Sequence, residues 1–139
     1  MSVDVNGQSG STVNRTLLGK LGERQTVLAY RRKGYSILST NWRSNRSGVR
    51  GEIDIVASKG DTLVFCEVKT RAQDRYGEPE EAVTAVKQAR LRRLAGEWLN
   101  EHRTDGSLDG HLREIRFDVS AVVLGEDGHL SARLIRDAF

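Results

Sequence analysis

GEIDIVASKGDTLVFCEVKTR, residues 51–71, contains two strand-like runs on either side of the turn Lys59-Gly60-Asp61-Thr62. β-Branched and aromatic residues dominate both runs, and Gly-Asp between them is a hairpin signal. With the turn centred on Gly60 and Asp61, Asp54 lies opposite Glu67 and Glu52 opposite Lys69. The period-two alternation of strands then puts all four side chains on one face. An ordinary hairpin would carry apolar residues at those positions.

Directly opposed side chains have Cβ atoms about 5 Å apart, where two carboxylates repel unless a cation lies between them. Hard oxygen ligands suit Mg²⁺ or Mn²⁺. Lys69, two residues beyond Glu67 on the same face, can meet a phosphate or a metal-bound water. The competing reading is a solvent-facing ladder in which Lys69 pairs with Glu52 or Glu67 and nothing binds. Phe65 on the charged face argues for a strand covered on both sides, since Val64, Cys66 and Val68 occupy the other. The charges would then sit at its partly sheltered end.

Outward from the hairpin, Leu17, Leu21, Val27 and Leu28 recur at helical spacing between Thr16 and Lys33, with Thr16 as a candidate cap and Gly34 as a stop. Residues 1–15, rich in Ser, Gly and Asn, read as a disordered polar tail. Tyr35 to Trp42 reads as a short strand. Asn41 to Arg50 reads as a loop carrying Arg43, Arg46 and Arg50 and no acidic residue. After the hairpin, a loop and helix run from Arg71 to about His102, with Pro79 near the helix start. Val83, Val86, Leu91, Leu94, Trp98 and Leu99 form its apolar face, and Lys87, Arg90, Arg92 and Arg93 its basic one. Thr104 to Gly110 is a turn region. Glu114 to Leu124 alternates as a strand, with Ile115, Phe117, Val119, Ala121 and Val123 on one face. A final strand spans His129 to Ile135. The order α-β-β-β-α-β-β predicts a single α/β domain over residues 16–139, a mixed β-sheet flanked by helices.

Length and composition bound the rest. The 139 residues suffice for one core. The net charge is only +3, yet 17 of 22 basic residues are arginine, whose planar fork grips phosphate bidentately. A single cysteine excludes an intramolecular disulfide and a multi-cysteine zinc site, which fits a reducing compartment, the cytoplasm. There is neither a secretory pattern at the N-terminus nor an apolar run that could span a bilayer, so no membrane association is expected. No glycine-rich nucleotide loop is present.

Asp54 followed after a hairpin by Glu67-Val68-Lys69 resembles the D...(D/E)xK signature of the PD-(D/E)xK, or restriction endonuclease-like, nuclease superfamily. Several further segments together resemble the YraN-type bacterial family: Gly19-x-x-Gly22-Glu23, Asn41-Trp42-Arg43, Gly51-Glu52-Ile53-Asp54, Phe65-x-Glu67-Val68-Lys69-Thr70-Arg71, Ala82-Val83 with Lys87, and Arg116-Phe117-Asp118-Val119. They extend across nearly the whole of residues 16–139. Ile53 stands where the superfamily often has proline. The resemblance implies a restriction endonuclease-like core similar to Holliday junction resolvases, and phosphodiester hydrolysis by a Mg²⁺- or Mn²⁺-dependent endonuclease. It implies Asp54, Glu67 and the Val68 carbonyl as metal ligands, Lys69 as the residue that activates water and stabilises phosphate charge, and Glu23 as an additional acid. Glu52 reads either as a further acid of the site or as the residue that holds Lys69, and Asp118 reads better as a structural hydrogen-bonding or salt-bridge residue.

Arg43, Arg46, Arg50, Arg71, Lys87 and Arg90 are candidate nucleic-acid contacts, with Trp42 either a stacking platform or a core residue. DNA is the expected partner ahead of RNA, with branched or recombining DNA as the implied substrate. Junction resolvases act as symmetric dimers, which implies a homodimer. A non-catalytic nucleic-acid-binding module and a protein-interaction subunit remain the alternatives.

Overall fold

The computed structural model describes residues 11–46, 48, 50–72, 83–104 and 112–139, and within these the side chains from Arg15 onward. The chain runs α1 (Ser11–Arg32), β1 (Ser36–Arg43), β2 (Glu52–Lys59), β3 (Thr62–Ala72), α2 (Ala85–Thr104), β4 (Glu114–Leu124) and β5 (Leu130–Ile135). The strands lie in sequence order in one five-stranded sheet. β3 and β4 are parallel and every other neighbouring pair is antiparallel. The single parallel pair follows from α2, because parallel neighbours need a crossover that a tight turn cannot supply. The expected α-β-β-β-α-β-β order and mixed sheet are thus observed.

Each helix covers one face. Along β3, Leu63 and Phe65 meet α2, whereas Val64 and Cys66 meet α1. Leu91, Leu94, Ala95 and Trp98 of α2 are buried at the i, i+3, i+4, i+7 spacing of one helical stripe. Trp98 packs edge-on to Phe65 with centroids 5.7 Å apart, an arrangement worth about 0.5–1.5 kcal/mol beyond burial. Val86, expected on this stripe, is 69% exposed because α2 begins only at Ala85 and its first turn lies short of the packed stripe. Pro79 and residues 105–110 of the expected turn lie outside the described residues, as does the tail through residue 10.

The α1 face is polar as well as apolar. β4 alternates as expected, but its polar side is buried against α1. Arg116, Asp118 and Ser120 are 4%, 0% and 0% exposed. Asp118 accepts from Tyr30 Oη at 2.6 Å, from Arg116 Nε at 2.8 Å and Nη2 at 3.0 Å, and from the Asp137 amide at 3.0 Å. Ser120 Oγ lies 2.8 Å from Thr26 Oγ1, which also donates to the Gly22 carbonyl. A buried carboxylate is tolerated only when so many donors replace its water. At the start of β4, Ile115 is 41% exposed and not part of the core.

α1 begins at Ser11, five residues before Thr16, the cap expected from its apolar spacing. No described helix is long and apolar enough to cross a membrane. Gly22 sets the distance between α1 and β3: a Cβ there would stand 2.0 Å from Thr70 Oγ1. Gly22→Ala is therefore expected to destabilise the fold by about 1–3 kcal/mol in urea unfolding, the usual result of overpacking. The double variant Gly22→Ala/Thr70→Ala should regain most of that loss. Equal stability of Gly22→Ala and the parent would rule out so close a helix–sheet approach.

Candidate active site

The hairpin has the register expected from its turn. Pairing runs from Lys59↔Thr62 to Ile55↔Cys66, and Gly60 takes φ 60 in the turn. Beyond Ile55↔Cys66 a side chain replaces the ladder. The Val68 amide donates to Asp54 Oδ2 at 2.8 Å. The strands separate at this end, each drawn to its other neighbour, with β2 paired to β1 through Arg43↔Glu52 and β3 to β4 through Ala72↔Leu124. The expected contact of Glu52 with Lys69 is replaced accordingly. Glu52 Oε2 lies 3.0 Å from Arg43 Nη2, and Lys69 Nζ lies 3.4 Å from Glu67 Oε2.

Glu23 of α1 reaches the same place. Carboxylate oxygens of Glu23, Glu52 and Asp54 lie within 4.8 Å of one another, a group that could hold a metal ion. Between Glu23 and Glu52 stands Asn41, whose Nδ2 donates to Glu23 Oε1 at 3.0 Å and to Glu52 Oε1 at 3.1 Å. Asn41 has φ 50, a left-handed conformation that asparagine tolerates better than most residues. Sequence reasoning did not single out its side chain. The available signals were its place in the Asn41-Trp42-Arg43 segment and an asparagine in a strand run, where that residue is depleted.

The carboxylates border a cavity of about 200 Å³. Glu52, Asp54 and Glu67 line one side, and Lys87 and Arg90 of α2 supply its cations. Gly51 permits this approach, with φ 96 and a virtual Cβ 3.0 Å from Arg90 Cδ. Burial, and after it the charge of Glu67, push the Asp54 carboxyl up to about 7. The Val68 N–H opposes the shift, and Glu23 and Glu52 add to it. These are the signs of acids crowded together with too little water to screen them. On α2, Lys87 is held below the usual lysine range, chiefly by the charge of Lys69.

Asp54, Glu67, Lys69, Glu52 and Glu23 are thus brought together, and Val68 joins them through its backbone N–H. Lys87 and Arg90 line the cavity. Arg43 is tied to Glu52, while Arg46 Nη1 lies 3.4 Å from Glu97 Oε2. Arg50 is exposed, and Arg71 is half-buried near the end of β3. Trp42 packs against the Ile53–Trp98 core, as its reading as a core residue expects. Asp118 stands apart from this cluster, at the centre of the buried network under α1.

Comparison with known proteins places these residues in a family. A family model described as "Uncharacterised protein family UPF0102" matches residues 22–122. A UPF0102 protein of Beutenbergia cavernae is 47% identical over 106 residues, 76% of this chain and 81% of the relative. One from Acidothermus cellulolyticus is 42% identical over 135 residues, 94% and 99% of the two chains. Another, from Symbiobacterium thermophilum, is 44% identical over 122 residues, 88% and 95%. The matched span includes Gly22, Glu23, the whole hairpin with its carboxylates, α2 and most of β4, and the chain belongs to the UPF0102 family.

Proposed function

We propose that the protein is a metal-dependent nuclease that hydrolyses phosphodiester bonds of DNA, with branched or recombining DNA as its substrate class. One observation carries this reading: three carboxylates, Glu23 from α1 and Glu52 and Asp54 from β2, converge beside a Glu67–Lys69 pair where the hairpin strands separate. Their mutual repulsion needs a cation. The donor set is all oxygen, which suits Mg²⁺ or Mn²⁺. Asp54 and Glu52 are the central ligands in this reading, with Glu23 and Glu67 beside them. A bound divalent cation would polarise a phosphoryl oxygen and lower the pKa of a water molecule.

The chain's own residues supply the remainder. Lys69, 24% exposed and held against Glu67, is placed to orient a water molecule and to stabilise charge developing on the phosphate. Lys87 and Arg90 line the same cavity and can contact the flanking phosphates. Asn41 fixes Glu23 and Glu52, and Arg43 restrains Glu52 from outside. Glu67 Oε2 also faces Lys69. It thus sets the lysine's position as well as adding negative charge near Asp54. A symmetric homodimer in the cytoplasm would present two such sites to two strands.

Cleavage of labelled duplex, single-stranded, flap and four-way DNA and of RNA in Mg²⁺ or Mn²⁺ tests this function. Four-way or flap DNA should be cut. Asp54→Ala should reduce cutting to background, and Lys69→Ala should slow it by about 10²- to 10³-fold with binding retained. Binding of these substrates without cleavage in either metal would replace the nuclease with a recognition module.

The crowded acids also predict a pH signature. An ordinary aspartate titrates at 3.8, and Asp54 in the fold at about 7. Between those values the folded protein keeps a proton that the unfolded chain has lost, so stability from Asp54 falls as pH rises from about 4 to about 7. In a chelator, the parent should lose stability relative to Asp54→Asn across that window, as read by denaturant midpoints. Excess Mg²⁺ should narrow the gap at pH 7 and above. A parent-minus-variant difference that stays level with pH would show that the carboxylates do not crowd Asp54.

A further inference from the structure

A second cleft lies away from the carboxylates. It holds about 500 Å³ and opens between the C-terminal end of α1, the hairpin end of β2 and β3, and the segment after β5. Four basic side chains line it, Lys33, Lys59, Arg116 and Arg136, and none of its lining residues is acidic. Thr62, on its rim, is five residues before Glu67 on β3, roughly 16 Å along the strand. The cleft lies on the α1 face, whereas Glu67 faces the α2 cavity.

Its cations are arranged by the fold. Arg116 is 4% exposed, and its Nε and Nη2 are fixed by both oxygens of Asp118. Nη2 also donates to Tyr35 Oη at 2.9 Å, so the Tyr35 hydroxyl retains its own proton to donate. Tyr30 stands edge-on to Tyr35 at 5.1 Å and donates to Asp118, which fixes this wall from behind. Lys59 Nζ is held by the Lys33 carbonyl at 2.7 Å and lies 5.6 Å from the centre of the Tyr35 ring. Neither Lys59, Lys33 nor Arg136 has an ion-pair partner among the described residues. The nearby carboxylates are held by donors of the chain, Thr62 at the rim among them. Asp118 is saturated by its donors, and Glu114 Oε1 accepts from the Thr62 hydroxyl at 3.0 Å.

Several like charges in one concavity, with a preset guanidinium at its wall and no acid at its lining, favour a compact multivalent anion. We propose that this cleft is a second binding site of the protein, specific for a phosphomonoester or polyphosphate group. The Tyr35 hydroxyl, oriented by Arg116, supplies a fixed donor, and Lys33, Lys59 and Arg136 supply closing charge. Such a group occurs at the phosphorylated end of a nucleic-acid strand and on a free nucleotide. The site is independent of the carboxylate cavity and does not require that the cavity cleave anything.

Calorimetric titration of the full chain with inorganic pyrophosphate, with ATP, and with one short single-stranded DNA carrying either a 5′-phosphate or a 5′-hydroxyl tests the proposal. Saturable binding of pyrophosphate is expected, weakened about tenfold or more in Lys33→Glu/Arg136→Glu, whose replaced side chains have no ion-pair partner among the described residues. Asp54→Asn, in the other cavity, should bind with the parent's affinity. A preference for the 5′-phosphate strand over its 5′-hydroxyl twin would support strand ends as the source. Tighter binding of ATP than of either strand would support a free nucleotide. Absence of pyrophosphate binding, or binding that the double charge reversal leaves intact, would overturn the site. So would binding that is lost in Asp54→Asn and kept in the double variant, since it would assign the anion to the carboxylate cavity.

Discussion

The hydrogen bond from the Val68 amide to the Asp54 carboxylate, 2.8 Å long, is the point on which the candidate site turns. In an uninterrupted ladder, opposed strands satisfy each other's backbone groups, and side chains project to the two faces. Here a side chain takes over the amide of β3, and the hairpin can open without leaving a buried donor unpaired. The opening gives Asp54 room beside Glu67 and frees Glu52 to pair with β1. The same bond lowers the cost of ionising Asp54 while burial and three neighbouring acids raise it. The carboxylate is thus held in place and kept under electrostatic stress by the same few residues.

That stress is sustained because the remainder of the fold resists relaxation. α1 holds Glu23 close to the sheet, since Gly22 lets the helix pass directly over Thr70 and Thr26 is bonded to Ser120 on β4. Further along the helix, Tyr30 is tied to Asp118. α2 is seated by Trp98, whose indole N–H donates to Ser39 of β1 at 3.0 Å while its ring meets Phe65. This seating keeps Lys87 and Arg90 over the acids. Two helices on opposite faces therefore bring opposite charge to the site: a carboxylate from α1 and cations from α2.

The hairpin was the most legible part of the sequence, because a two-residue turn and period-two alternation leave little freedom in register. β4 was legible for the same reason, and its observed limits are Glu114–Leu124. The start of α1 was not, since Ser11 to Arg15 carry no apolar spacing and include residues that often favour caps and turns over helix. Val86 shows the converse error. Its periodicity matched the stripe, but whether a residue at a helix end is covered depends on where the sheet stops. Asp54, Glu67 and Lys69 could be grouped from local pairing alone. Asn41 could not, because its role rests on a left-handed φ within a strand and on where α1 places Glu23, both tertiary facts.

Asp118 illustrates how far one residue type can be resolved by its surroundings. It and Asp54 are both aspartates in strands of the same sheet, shielded from water. Asp118 is ringed by a guanidinium, a phenol and a backbone amide, so its charge is compensated where it stands. Asp54 has one backbone donor and three acidic neighbours, so its charge is opposed rather than compensated where it stands. The first arrangement binds the chain to itself and, through Arg116, shapes the wall of a basic cleft. The second sets crowded acids across a cavity from Lys87 and Arg90. One sheet thus buries one aspartate fully matched and another mismatched, and the difference lies in the partners each is given by its neighbouring strands and by α1.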